Sequence, residues 1–343
     1  MLSKLFESKR AIGRVVLVAL CLQNASFTLL RRYVSLTEHV SSREILIVGE
    51  LIKFFASIYF IFNSEEKSSS QGTGVSKLVW LVANSHKMII LSAIYLAMNV
   101  LSFVSIQYIG AGEFTVCGQL KVLSTATFSV IVLGTKISNT KWRALAQLVI
   151  GCILVTSPAL EAYNARKGGD GIGGAVVEEN DRNNALILQF GYGAVLLEVL
   201  LSGFASIYFE KVIKSADEVI TIWERNFQLS LYSILIYAAM IAYDLFTDPT
   251  AKLFGGWEPI TVIVACLGAA GGLLVASSLK YADSILKTIA TAGAIIISTV
   301  LGYLFLGGPM TYIVGLGMLT TVLSIFNYTL DKTPAWQGVE KIV

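Results

Sequence analysis

The sequence predicts an all-α integral membrane protein of ten transmembrane helices, arranged as two inverted five-helix repeats with both termini in the cytosol. Three observations lead there: an apolar composition, a succession of apolar stretches of bilayer length, and lysines that recur inside two of them. Of the 343 residues, 55% are hydrophobic and 14% charged, and the mean hydropathy is +0.70. A soluble domain carries about a quarter charged residues, so that class is excluded. The net charge of +3 says little about partners. Membrane lipid is expected as a partner and nucleic acid is not.

A span needs about 20 mostly apolar residues, and the chain offers such stretches in order. The first, 12–30, follows a start that is basic through Arg14 and lacks the small-residue cleavage pattern of a signal peptide, so it is read as a retained span. The second, 44–62, carries Glu50 and Lys53. A loop at 63–87, rich in Ser, Glu and Lys, precedes the third, 88–109. The fourth, 113–133, holds Lys121, and the fifth, 142–159, is short. A linker follows, with the run Gly168-Gly169-Asp170-Gly171-Ile172-Gly173-Gly174. It has no strand before it and no Gly-Lys-Ser/Thr after it, so it reads as a flexible connection rather than a phosphate cradle. The sixth span, 185–209, and the seventh, 220–243, come next, the latter with Arg225 and the stripe Asn226, Ser230, Ser233. The eighth, 259–279, contains Gly268-Ala269-Ala270-Gly271-Gly272, small residues that let helices approach. The ninth, 284–306, has Lys287 about one turn inside, and the tenth is 311–328.

The expected organisation is a first repeat at 1–160, a luminal linker at 161–183, a second repeat at 184–330 and a cytosolic tail at 331–343. With the N-terminus cytosolic, the cytosolic loops hold roughly twice the Lys and Arg of the opposite side, as the positive-inside rule requires. Five spans per repeat is an odd number, so the second repeat is inverted. Leu120-Lys121-Val122-Leu123-Ser124-Thr125-Ala126 echoes Leu286-Lys287-Thr288-Ile289-Ala290-Thr291-Ala292. Corresponding lysines in two halves are the pattern of a repeat-built transporter.

Four basic residues lie within spans: Lys53, Lys121, Arg225 and Lys287. A lysine well inside a bilayer costs about 2.5–3.5 kcal/mol on insertion scales, so something must offset it. Glu50 is three residues before Lys53 on the same face and can neutralise it. Glu224 adjoins Arg225, but neighbours on a helix diverge by about 100° and need not pair. Asp283 lies four residues before Lys287, whereas Lys121 has no acid within a turn. An anionic ligand is a candidate partner for the lysines, and Asn99, Asn226 and Ser230 add neutral polar groups. No paired carboxylates, Ser–His pair or metal cluster stands ready for an intramembrane enzyme. No metal or cofactor is expected. The four cysteines, Cys21, Cys117, Cys152 and Cys266, read as small buried hydrophobes, and His39 and His86 as loop residues.

Several stretches resemble the nucleotide-sugar transporters of the drug/metabolite transporter superfamily. They are Gly49-Glu50-Leu51-Ile52-Lys53, Gln119 to Ala126, Gly203-Phe204-Ala205-Ser206-Ile207-Tyr208-Phe209-Glu210-Lys211-Val212, Arg225-Asn226-Phe227-Gln228, and Gly271 to Lys287. The likeness is closest to the CMP-sialic acid branch, in a plant-like member. It implies a Golgi antiporter that exchanges a cytosolic CMP-sugar, CMP-sialic acid or a related CMP-keto sugar, for luminal CMP by alternating access. It implies phosphate contacts at Lys121 and Lys287. Asn99, Phe114, Asn226, Ser230 and Tyr232 fall at the nucleotide, Glu50 and Lys53 towards the sugar, and Gly203 and Thr125 within the shared motifs. Two departures matter: Cys117-Gly118 precede Gln119 where relatives often carry an aromatic, and Phe114 and Met98 stand where CMP-sialic acid carriers often have tyrosine and glutamine, which bears on the sugar and base. UDP-galactose/UMP exchange is the alternative cargo. A proton-coupled exporter of small amphipathic compounds is the rival transport class, with Glu50 and Glu198 as its intraspan acids. The ending Ile342-Val343 resembles an export signal.

Overall fold

The computed structural model describes residues 2–37, 40–63, 68, 70, 72–109, 111–169, 180–215, 220–247, 253–308 and 310–331. The expected tail beyond Asp331, its Ile342-Val343 ending and His39 lie outside the described residues. Every regular element among them is a helix: α1 (Leu2–Thr37), α2 (Ser42–Asn63), α3 (Val75–Ala83), α4 (His86–Ile109), α5 (Ala111–Gly118), α6 (Lys121–Leu133), α7 (Asn139–Gly169), α8 (Asn180–Ile213), α9 (Ile222–Thr247), α10 (Pro259–Tyr281), α11 (Ser284–Leu306) and α12 (Tyr312–Leu330).

Among the described residues, nine helical stretches are long and apolar enough to cross a membrane. They coincide with nine of the ten expected spans. The remaining one, 142–159, falls within α7 and is not counted with them. The expected linker is helical up to Gly169 and again from Asn180. Three further differences have local causes. The loop at 63–87 contains α3, because Leu78-Val79-Trp80-Leu81-Val82 is apolar enough to pack. The fourth span is broken: α5 ends at Gly118 and α6 begins at Lys121. The chain tightens there through i to i−3 bonds, Gln119 N to Val116 O at 3.1 Å and Leu120 N to Cys117 O at 3.0 Å. His86 opens α4 instead of sitting in a loop. Of the cysteines only Cys152 is buried, and Cys266 is exposed.

The ends of the helices follow ordinary capping chemistry. Thr311 is extended and its hydroxyl accepts from Val314 N, which starts α12. Pro259 occupies the first turn of α10, where its missing N–H costs nothing. Gly134 closes α6 in the left-handed conformation, φ 65°.

The chain forms two compact units that interleave in sequence. One comprises Met1–Leu96 and Tyr208–Gly302, the other Ala97–Ile207 and Tyr303–Val343. In the first, α2 packs on α9 and α10, α1 on α10, and α3 on α9. Val34, Ile45, Val264 and Ala265 form one buried cluster there, and Ile61, Leu81 and Phe227 another. Glu44 is buried and ties the 253–257 turn to α2, accepting from Trp257 Nε1 at 2.8 Å and Phe254 N at 3.2 Å.

In the second unit, α7 packs on α12, α5 and α6. α7 and α12 are antiparallel: Thr321 lies against Gly151, Ser324 donates to Ala144 O, and Ser138 donates to Asp331. α6 and α8 run the same way instead. Gly203 lies against Ser124 and Thr125, and Phe204 against Phe128 with ring centroids 5.6 Å apart.

Candidate functional site

In the first unit, the second span carries an ion pair between adjacent turns. Lys53 Nζ lies 2.8 Å from Glu50 Oε1 and 2.7 Å from Oε2, and Lys53 is 5% exposed. The expected internal neutralisation is thus in place. α10 makes room for this lysine by lacking a side chain: a Cβ on Gly272 would sit 3.1 Å from Lys53 Cδ and 3.3 Å from Nζ. Tyr95 lies close enough to Glu50 to feel its charge.

α9 is buried on every side from Glu224 to Ser230. Phe54 stacks on Phe227 at 5.1 Å, and Phe60 on Trp223 at 4.1 Å. Ser230 donates to Asn226 O at 2.7 Å, and Asn226 Nδ2 to Ile222 O at 2.9 Å, so these donors are spent on their own helix. Asn226 Oδ1 is a buried acceptor without a hydrogen-bond partner among the described residues, as is Ser57 Oγ as a polar group on α2. Tyr232, half-buried, shares a hydrogen bond with Ser85 ahead of α4.

Glu224 is the hub that sequence reasoning missed. It is 0% exposed and accepts from Ser68 Oγ at 2.6 Å, Ser70 Oγ at 2.7 Å and Thr221 N at 2.8 Å, with Lys77 Nζ at 2.9 Å. Its sequence neighbour Arg225 turns elsewhere, to Gln228 Oε1 at 3.2 Å, as the divergence of adjacent helical positions predicts. Gln228 in turn donates to Leu81 O at 2.7 Å, pinning α3 to α9.

Lys287 is half-buried in the first turns of α11, and that helix start is tightly held. Glu210 Oε2 accepts from Ser284 N at 2.8 Å, and Asp283 Oδ1 from Leu286 N at 2.7 Å. Lys214 bridges Glu210 at 2.7 Å and Ala282 O at 2.6 Å. Burial pushes the Asp283 carboxyl above its usual range. The Leu286 N–H opposes this, the Glu210 charge adds to it, and Lys214 opposes it again.

In the second unit, Lys121 is the first residue of α6 and is exposed. It makes no ion pair among the described residues. Glu198 on α8 is near enough for its charge to be felt. Thr125 is buried and its hydroxyl donates to Lys121 O at 2.7 Å. Gly203 is a packing position: a Cβ there would lie 2.2 Å from Ser124 Oγ and 2.8 Å from Ser124 C and Thr125 N. It lets α8 run against α6 and carries Glu198 towards Lys121. Phe114 packs with Ile109, Val195 and Val199, and Asn99 is half-buried on α4. Asn99, Phe114, Lys121, Thr125 and Gly203 thus belong to one unit, and Glu50, Lys53, Asn226, Ser230, Tyr232 and Lys287 to the other. No metal-binding cluster of His, Cys, Asp and Glu occurs among the described residues.

The sequence matches the family described as "Nucleotide-sugar transporter" over residues 8–329. The chain belongs to that family. Rattus norvegicus UDP-N-acetylglucosamine transporter is 31% identical over 325 residues, which cover 92% of this chain and 94% of that one. Caenorhabditis elegans UDP-galactose/UDP-N-acetylglucosamine transporter srf-3 is 31% identical, covering 95% and 85%. The UDP-galactose translocator of Bos taurus is 30% identical, covering 95% and 80%. A solved crystal structure at 14% identity superposes with a TM-score of 0.65 over 94% of this chain and 98% of that one, a likeness of fold. These relatives stand on the side of the alternative cargo and not of CMP-sialic acid, since each of them is named for a UDP-sugar.

Proposed function

We propose that this transporter is an antiporter of the Golgi membrane that exchanges a cytosolic UDP-sugar, UDP-galactose or UDP-N-acetylglucosamine, for luminal UMP by alternating access. The single geometric observation behind this reading is Lys121. It is an exposed ammonium without an ion pair among the described residues, at the start of a helix that interrupts a span. At the break Val122 N and Ser124 N are already bonded to Gln119 O and Leu120 O, so the Lys121 ammonium itself is what would meet an anion, as a point charge. Nucleotide phosphate is the anion that the relatives' names supply. Lys287 is the second phosphate contact that the resemblance implies, and the rigid start of α11 suits a group that must be held in place.

Exchange is nearly electroneutral. A UDP-sugar carries about −2, and UMP about −1.5 to −2 given a second phosphate pKa near 6. Closure around an empty site leaves an ammonium poorly solvated, which opposes return without cargo. Ten spans, with both termini cytosolic, remain the topology of this reading. The parallel course of α6 and α8 supports it, because α7 must then cross back between them.

Thermal stability of the purified protein with UMP, CMP, GMP and AMP tests the base. A ligand that binds only the folded state at 100 times its Kd adds about 2.7 kcal/mol. UMP is expected to stabilise selectively; selective stabilisation by CMP restores the CMP-sugar assignment. Lys121→Ala and Lys287→Ala are each expected to abolish the UMP shift without loss of folding. Vesicles preloaded with UMP should take up UDP-sugar much faster than empty ones, and equal rates refute the exchange mechanism.

A further inference from the structure

The first unit holds a groove of about 450 Å³ lined by Arg43 and six apolar residues: Leu96, Leu235, Ile236, Ala239, Met240 and Tyr243. Its long axis has a direction. Leu96 lies at the middle of the candidate span His86–Ile106, and Leu235 near the middle of Ile222–Thr247. Arg43 is the second residue of α2, and Tyr243 approaches the end of α9. At 1.5 Å per residue, Leu235 to Tyr243 covers about 12 Å, close to the roughly 15 Å depth of one leaflet's hydrocarbon. The groove thus runs from mid-bilayer to the interface, apolar throughout and charged only at its outer end.

That outer end carries both signs. Arg43 Nη1 pairs with Asp244 Oδ2, and the two side chains keep 27% and 37% of their surface exposed. A guanidinium has five N–H donors and a carboxylate several lone pairs, so each retains capacity beyond the pair. A sugar would strand its hydroxyls against six apolar side chains. An acyl chain fits that lining. A phosphate beside Arg43 suits the guanidinium, and a headgroup ammonium suits Asp244. An anionic headgroup without an amine would share Arg43 with Asp244 and bring the carboxylate no cation of its own.

We propose that this groove seats one acyl chain of a zwitterionic phospholipid, with the lipid phosphate on Arg43 and the headgroup amine on Asp244, and that phosphatidylethanolamine is preferred because its ammonium donates hydrogen bonds and choline does not. The site takes a structural lipid and no transported ligand, and it depends only on the membrane-spanning character of α2, α4 and α9.

The test uses the full-length protein in detergent, with dioleoyl phosphatidylethanolamine, phosphatidylcholine or phosphatidylglycerol added at equal mole ratio. Lipid retention is read by native mass spectrometry and stability by thermal unfolding. Phosphatidylethanolamine is expected to be retained about tenfold over the other two, the scale of one charge-assisted hydrogen bond. Arg43→Gln and Asp244→Asn should each erase that preference, and Ala239→Trp, which fills the groove, should erase retention. The headgroup comparison on the unaltered protein decides the matter even where a variant folds poorly. Retention of phosphatidylglycerol equal to or above phosphatidylethanolamine overturns the proposal. So does undiminished retention by folded Ala239→Trp protein, or displacement of the lipid by UMP or a UDP-sugar.

Discussion

Replacing Glu224 by glutamine removes one charge and one acceptor from the most heavily bonded carboxylate described. Oε1 takes Ser70 and Lys77, and Oε2 takes Ser68 and the Thr221 N–H. A serine hydroxyl can rotate to accept from an amide N–H. An ammonium and a backbone N–H cannot. Whichever way the new amide is turned, one of those two fixed donors faces another donor. A lost bond to a charged group costs about 1.5–3 kcal/mol, and breaking a buried ion pair about 3–5 kcal/mol. The upper figure is too large here, because the Lys77 side chain keeps 19% of its surface and part of its hydration. About 3 kcal/mol is the expected loss, read by equilibrium unfolding in mixed micelles. Cleavage by trypsin after Lys77 should appear earlier as α3 loosens. Adding Lys77→Met to Glu224→Gln should recover part of the loss, since the uncompensated ammonium goes with it. A Glu224→Gln protein within about 0.5 kcal/mol of the parent, with unchanged tryptic sensitivity, refutes the view that this carboxylate clamps α3 to α9.

Three further outcomes follow from the same geometry. Gly203→Ala forces a methyl into Ser124 and should cost about 1–3 kcal/mol by overpacking, with weaker UMP binding as α6 shifts, measured by nucleotide-dependent thermal stability. Gly272→Ala crowds Lys53 and should slow UDP-sugar uptake while leaving the UMP shift intact; an equal loss of both would separate Lys53 from the sugar end. Asp283 has a raised carboxyl pKa in the folded protein. Its contribution to stability is therefore fully present below its unfolded value, about 3.9, and is lost as pH rises through the folded value. Asp283→Asn keeps an oxygen for Leu286 N and should be more stable than the parent at pH 7, with the gap closing towards pH 4. A gap independent of pH would mean that the carboxyl does not titrate in this window.

The spans were legible because apolar length is a local property of the chain, and so was the Glu50–Lys53 pair, three residues apart on one helix. Glu224 was not, because Ser68, Ser70 and Lys77 reach it from about 150 positions away and no periodicity announces them. Its nearest basic neighbour in sequence, Arg225, was the wrong place to look. α3 was readable in principle from Leu78 to Val82 but was hidden by the polar residues around it. The break before Lys121 had one local sign, Gly118, which by itself is equally compatible with an unbroken helix. Gly203 stood in a shared motif, but its close approach to Ser124 was not legible, because the two lie on different helices far apart in sequence. The nucleotide was the least legible, since a lysine answers a phosphate, which every nucleotide sugar carries, and says nothing of the base.

The interleaving of the two units has a consequence for biogenesis. The segment Met1–Leu96 is completed only by Tyr208–Gly302. At about 5–20 residues per second, the ribosome needs roughly 6 to 22 s to make the intervening stretch. Throughout that interval α2 sits in the membrane with the faces that will meet α9 and α10 uncovered, Phe54 on the one and Lys53 on the other. Newly made chains must be protected for that time by insertase or chaperone, and fragments ending before Tyr208 should be cleared by quality control instead of accumulating. Supplying Tyr208–Val343 as a separate polypeptide should rescue such fragments.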